Sequence, residues 1–177
     1  SVVLGNDAVT AVYMGEDSGA TVYAASFVGD GSQLTGITGS TSSLNDLTDV
    51  LVDSNSMFLG NPPTNSTGGY NTASGRNSLN SNTTGAENTA SGYKALYNNT
   101  EGDENTASGA YSLYLNTTGS NNTAFGRESL YSNTTGNSNT ASGHKSLHYN
   151  TTGSDNTASG RRSLYKNTTG IKNTASG

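Results

Sequence analysis

The sequence predicts an all-β protein: a parallel β-helix or β-roll solenoid of 17-residue coils, preceded by a short β-strand lead-in. Three observations carry that expectation. The phrase Asn71-Thr72-Ala73-Ser74-Gly75 returns at Asn88, Asn105, Asn139, Asn156 and Asn173, and at Asn122 with Phe125 in place of Ser, always after a step of 17 residues. A second phrase, Ser/Ala-Leu-x-x-Asn-Thr-Thr-Gly, keeps a fixed place between the copies, as in Ser78-Leu79 followed by Asn82-Thr83-Thr84-Gly85. Between the glycines run segments of about four to eight residues, rich in Thr, Ser and Tyr, which are strand lengths rather than helix lengths. Self-similarity at a fixed period marks a stacked array.

Bulk composition alone points elsewhere. With 30% hydrophobic residues and 23 Gly among 177 residues, such a chain would ordinarily be too polar to bury a core. The period overrides that prior, because a disordered tract has no physical reason to hold a Leu, an Ala and two Gly in phase. No apolar run approaches a bilayer's thickness, so no membrane insertion is expected. The absence of Cys removes disulfides and thiolate metal sites. From Ser1 to Tyr70 there is no Lys or Arg, and every basic residue lies in the array. That is not the dense basic face a nucleic-acid partner needs. No charged-then-apolar leader precedes Ser1, and Gly177 falls five residues into a unit, which suggests a section of a longer repeat.

Residues 1–37 read as a β-rich lead-in, with short strands at Ala8–Gly15 and Ala20–Val28. Turns at Glu16-Asp17-Ser18-Gly19 and Gly29-Asp30-Gly31-Ser32 separate them. Residues 38–55 form a linker or short neck. Within it Leu44, Leu47 and Leu51 have helical spacing, with Ser43 and Asp46 able to cap. Thr48, Val50 and Val52 suit an extended segment equally well, so both forms stay open. Residues 56–70 read as a shortened capping coil: Ser56-Met57-Phe58-Leu59-Gly60 stands where a repeat phrase would, and Pro62-Pro63 where two residues are missing. Its bulky Met57, Phe58 and Leu59 are what a terminal coil needs to cover a solenoid end.

Residues 71–177 form the solenoid proper. Gly75 and Gly85 are natural corners because Gly accepts positive φ, and Asn beside a corner can bond its own backbone. Stacked coils place equivalent residues about 4.8 Å apart, so Asn lies on Asn and Thr on Thr, and the array makes a rod of roughly 33 Å. The predicted core holds one Leu per coil (Leu79, Leu96, Leu113, Leu130, Leu147, Leu164) and one Ala (Ala73, Ala90, Ala107, Ala124, Ala141, Ala158). A buried Leu contributes about 2 kcal/mol, whereas ordering each backbone residue costs about 1 kcal/mol or more. A lone chain therefore looks under-provided. Several chains wound on a shared axis, with their Leu rows meeting there, would close the gap, and a homotrimer is the preferred arrangement.

Candidate sites are sparse. The residues after Leu make a column of Tyr97, Tyr114, Tyr131, His148 and Tyr165. It suits either contact with a cell-surface glycan or receptor, or a ladder that holds the coils in register. Arg76, Lys94, Arg127, Lys145, Arg161 and Arg162 follow one glycine; Glu87, Asp103, Glu104 and Asp155 follow the other. At corners such charges are expected to be solvated, with a binding role for the basic edge as the alternative. The Thr columns raise ice binding, although adjacent Thr83 and Thr84 should point to opposite faces of a strand. His144 and His148 are the only histidines, the acids do not recur as a pair, and no phosphate loop or calcium-coil pattern occurs. Catalytic, cofactor-binding and metal residues are therefore not assigned, and no enzyme activity is expected.

The unit Asn-Thr-Ala-Ser-Gly-x-x-Ser-Leu-x-x-Asn-Thr-Thr-Gly resembles the repeats of bacteriophage tail fibres and related bacterial surface fibres. More distantly it is similar to the head repeats of trimeric autotransporter adhesins, whose Ser-x-Ala-Ile-Gly phrase is approached by Ser56-Met57-Phe58-Leu59-Gly60. The Ser26–Ile37 and Leu44–Val50 segments likewise resemble tail-fibre linkers. The resemblance implies a left-handed roll, a trimer, an extracellular or virion location, and service as a structural shaft in host or surface attachment. A bacterial adhesin or extracellular filament is the alternative, with ice-binding or glycan-binding solenoids further off. Two features depart from it. The unit is longer than the usual adhesin-head coil, and neither a membrane anchor nor a self-cleaving chaperone domain occurs within these 177 residues.

Overall fold

The computed structural model describes residues 50–53, 56–59 and 66–177. The strands expected at residues 8–28, the fate of residues 43–49 and the proline pair lie outside the described residues. Strand β1 (Val50–Asp53) pairs antiparallel with β2 (Ser56–Leu59), Val50 opposite Leu59 and Asp53 opposite Ser56. The extended form is thus the one found at Val50–Val52.

From β2 onward every strand lies parallel on the next: β3 (Thr72–Ser74), β4 (Thr89–Ser91), β5 (Thr106–Ser108), β6 (Thr123–Phe125), β7 (Thr140–Ser142), β8 (Thr157–Ser159) and β9 (Thr174–Ser176). Among the described residues the sheet has nine strands, in sequence order. Register follows the repeat without slippage: Thr89 on Thr106, Ala90 on Ala107, Ser91 on Ser108. Phe58 sits opposite Ala73. One 17-residue unit is therefore one lap of a β-solenoid. Alternation along each strand turns Ala inward and leaves Thr and Ser outward, as the two-residue period of extended chain requires.

The rest of each lap departs from expectation. There is one strand per coil, of three residues, and the Leu-to-Thr segment is a run of turns rather than a second strand. Three non-glycine residues per coil take the left-handed conformation, for example Lys94 (φ 56°), Leu96 (φ 50°) and Glu104 (φ 55°). An L-residue pays about 1–2 kcal/mol for this. The offset lies in where the amides then point. Lys94 N–H donates to the Arg76 carbonyl at 3.1 Å and Glu104 N–H to Ala86 at 3.0 Å, one coil back. Leu96 N–H donates to Ser112 at 3.0 Å, one coil forward. The turns are thus bonded along the axis much as the strands are. Where successive corners meet, only glycine fits: Gly109 has φ 135°, and a Cβ there would lie 2.7 Å from the Gly126 carbonyl.

The Leu column corrects the sequence expectation about the core. Leu79, Leu96, Leu113, Leu130 and Leu147 are 0% exposed inside a single chain, so these rows cannot meet on an axis shared between chains. Leu164 is half-buried against the same cluster, and the Ala column is buried throughout. The filling that seemed to be missing is polar. Asn105 and Asn116 of one coil are as buried as Leu113, and their counterparts from Asn71 to Asn156 are buried too, while Asn167 and Asn173 in the last coils are half-buried. Asn116 Nδ2 donates to Asn99 Oδ1 at 2.8 Å and to the Gly119 carbonyl at 2.8 Å. Asn105 takes Asn88 Oδ1 with both its backbone N–H (3.0 Å) and its Nδ2 (3.1 Å) and reaches Gly119 O at 2.9 Å. Satisfied amides can be buried at little cost, and in a dry lumen each such bond is strengthened by its neighbours.

Candidate functional site on the aromatic edge

Past each strand glycine the chain runs through two corner residues, a buried Ser or Ala, the inward left-handed Leu, and then the residue that carries the aromatic column. Because Leu turns inward there, its neighbour is turned outward and falls directly over its counterpart one coil away. The five rings form one continuous stack. Tyr97–Tyr114 centroids are 5.4 Å apart at 23°, Tyr114–Tyr131 5.2 Å at 21°, Tyr131–His148 5.1 Å at 15°, and His148–Tyr165 5.4 Å at 21°. The tyrosines are half-buried and His148 is buried. Such offset stacking contributes about 1 kcal/mol per pair beyond area burial. It also uses the ring faces on one another and presents ring edges to solvent. A sugar ring needs a free face, so the geometry favours the register ladder over direct stacking of a glycan.

Tyr111 and Tyr149, with the corner cations Lys94 and Arg162, complete the edge. Tyr111 meets Tyr114 edge-on at 5.5 Å, and Tyr149 meets His148 edge-on at 4.7 Å. Lys94 Nζ lies 5.1 Å from the Tyr97 ring centroid, and the Arg162 guanidinium 5.3 Å from that of Tyr165. Partial desolvation works against the Lys94 charge, yet the oxygens of Tyr93, Tyr114, Tyr111 and Tyr97 outweigh it and raise its pKa. None of these pairings was legible beforehand, since they join different positions within one coil and depend on side-chain orientations that the stacking of like on like does not specify.

Glu128 is the one acid on this edge. Its carboxylate bridges Arg127 (2.6 Å) and Lys145 (3.1 Å), cations of successive coils, with His148 Nδ1 at 4.0 Å. Desolvation pushes the Glu128 pKa up, but the Lys145 hydrogen bond and the charges of Lys145, Arg127 and His148 prevail and hold it below the ordinary carboxylate value. The His148 Nδ1 lies 3.1 Å from the Glu128 carbonyl oxygen, which can only accept, so the proton of that bond sits on Nδ1. Tyr111, Arg127, Glu128, Tyr131 and His148 line a shallow depression of about 450 Å³. The acids Glu87, Glu101, Asp103, Glu104 and Asp155 fall on other stretches of the coil. Among the described residues no group of three or more His, Asp or Glu is placed to hold a metal ion.

The threonine columns also differ from expectation. Thr117 is half-buried and Thr118 exposed, so neither points inward. The segment is a turn whose buried residue is Asn116. The first hydroxyl is moreover committed to the ladder: Thr117 Oγ1 donates to the Thr134 carbonyl at 3.1 Å, as Thr100 Oγ1 does to Thr117. The freer hydroxyls are those of the strand face, and there Phe125, 49% exposed, interrupts the Ser row. Searches against protein-family models, curated proteins and solved structures return no match to this chain.

Proposed function

We propose that the chain is a section of the shaft of an extracellular or virion fibre, a spacer that holds an attachment region away from the surface bearing it. One observation carries this reading: coils bonded to both neighbours around nearly the whole lap, repeated in phase along one axis. Backbone bonds link strand to strand and turn to turn, and two buried Asn columns tie the interior (for instance Asn133 Nδ2 to Asn116 Oδ1, 2.8 Å). A lap held at so many points cannot slide on its neighbour, which is the property a spacer under load requires. The polar, hydroxyl-rich exterior suits a shaft surrounded by water.

Immunogold electron microscopy with antibody raised against residues 71–177 tests the reading. Label along the fibres of virions is expected. Label on filaments of bacterial cells would favour the adhesin alternative, and label confined to the cell interior would overturn both.

A further inference from the structure

The positive charge of this molecule is sorted onto one stretch of the coil. Of its 8 Lys and Arg, all but Lys172 lie between a strand glycine and the inward Asn seven residues after it, and they crowd into the last three full coils. We propose that this edge, across residues 126–166, binds a linear anionic polysaccharide whose acidic groups are taken by Arg127, Lys145, Arg161, Arg162 and Lys166. The proposal goes beyond the shaft reading and does not depend on it.

Glu128 already displays the binding mode. A single carboxylate is held there between Arg127 and Lys145, cations of adjacent coils. The next such gap, between Lys145 and Arg161 or Arg162, has no acid of this chain on its edge. Arg161, Arg162 and Lys166 are exposed, and the Arg127 side chain is 62% exposed despite its bond to Glu128. The field is felt locally. Desolvation, and then Lys145, Arg161 and Arg127, lower the His144 pKa against the opposing pull of Glu128.

Spacing selects the ligand. Cations recur at steps of about 4.8 Å, the strand spacing, which is close to the advance of one sugar ring in an extended chain. A polymer with an acid on each or every second ring can therefore meet the edge in register. The stacked rings supply a stiff wall beside the cations, and Arg162 is already braced on Tyr165. Holding the guanidinium in place reduces the ordering cost of a charged contact.

The test uses the full chain and three immobilised probes: polygalacturonate, heparin and neutral dextran. Binding to either acidic polymer but not to dextran is expected, weakening as salt screens the charges. Preference between the two acids tells carboxylate from sulfate recognition. R161A/R162A/K166A should lose roughly 10-fold or more in affinity with an unchanged thermal midpoint. E128Q, which releases Arg127 and Lys145, should bind more tightly. Equal retention on dextran, or a triple variant that binds as the parent does, would overturn the proposal. So would a triple variant altered only in sedimentation, since the cations would then serve a second copy of the chain.

Discussion

Asn116 shows how much of this fold rests on single amides. Its side chain donates twice and accepts once, from Asn133 Nδ2 at 2.8 Å, and all three partners are buried. Asn116→Ala removes those bonds and strands the partners in a dry lumen, at about 1–3 kcal/mol for each unsatisfied group. A loss of about 3 kcal/mol or more is expected in chemical denaturation, far above that of an exposed Asn→Ala. Left-handed positions make a second test. Ser138 is exposed with φ 55°, so Ser138→Gly should be close to neutral, whereas Ser138→Val, forced into the same conformation, should destabilise by about 1–2 kcal/mol. Glu128 provides a third, through pH. Its folded pKa is depressed, so its contribution is present above the unfolded carboxylate value near ~4.3 and fades as pH falls through the folded one. Thermal midpoints of Glu128→Gln should accordingly depend less steeply on pH below that value than those of the parent.

At the scale of the coil, inward and outward neighbours should differ sharply. Leu113 is wholly enclosed, so Leu113→Asp buries an unpaired charge and should prevent folding. Tyr114 stacks on Tyr97 and Tyr131; Tyr114→Ala should lower stability by about 1–2 kcal/mol and leave the circular dichroism spectrum unchanged. Equal melts for the two would contradict the inward Leu column. The same coil shows what could be read from the residues alone. The lap length, the Gly corners, the Leu and Ala columns and the stacking of like on like are all properties of phase, and phase is visible in a repeat. The interior of the coil was harder to read. Asn is ordinarily a surface residue, and its burial makes sense only once a closed lap sets each amide against the one before. Left-handed Leu was equally hidden, because bulky residues rarely adopt that region and only the neighbouring coil's carbonyls reward it. The aromatic column was readable as a column. Its face-to-face stacking, which leaves only ring edges for a ligand, depends on ring orientations that spacing does not specify.

Across the described coils, the Leu column and the Asn columns fill the interior of the lap within one chain, so the Leu rows are not available to a shared axis. Charge is distributed along the rod as well as around it: Glu87, Glu101, Asp103 and Glu104 lie in the early coils, and Arg161, Arg162, Lys166 and Lys172 in the last. Since the chain contains no Cys, paired spin labels can be placed cleanly on the outward Thr column. Label pairs at Thr89 with Thr140, Thr157 or Thr174 span three, four and five strand steps. Double electron–electron resonance on these pairs should give narrow distributions whose centres lengthen by about 4.8 Å per added coil. Broad distributions, or centres that do not change with the number of coils between the labels, would contradict the stacked lap.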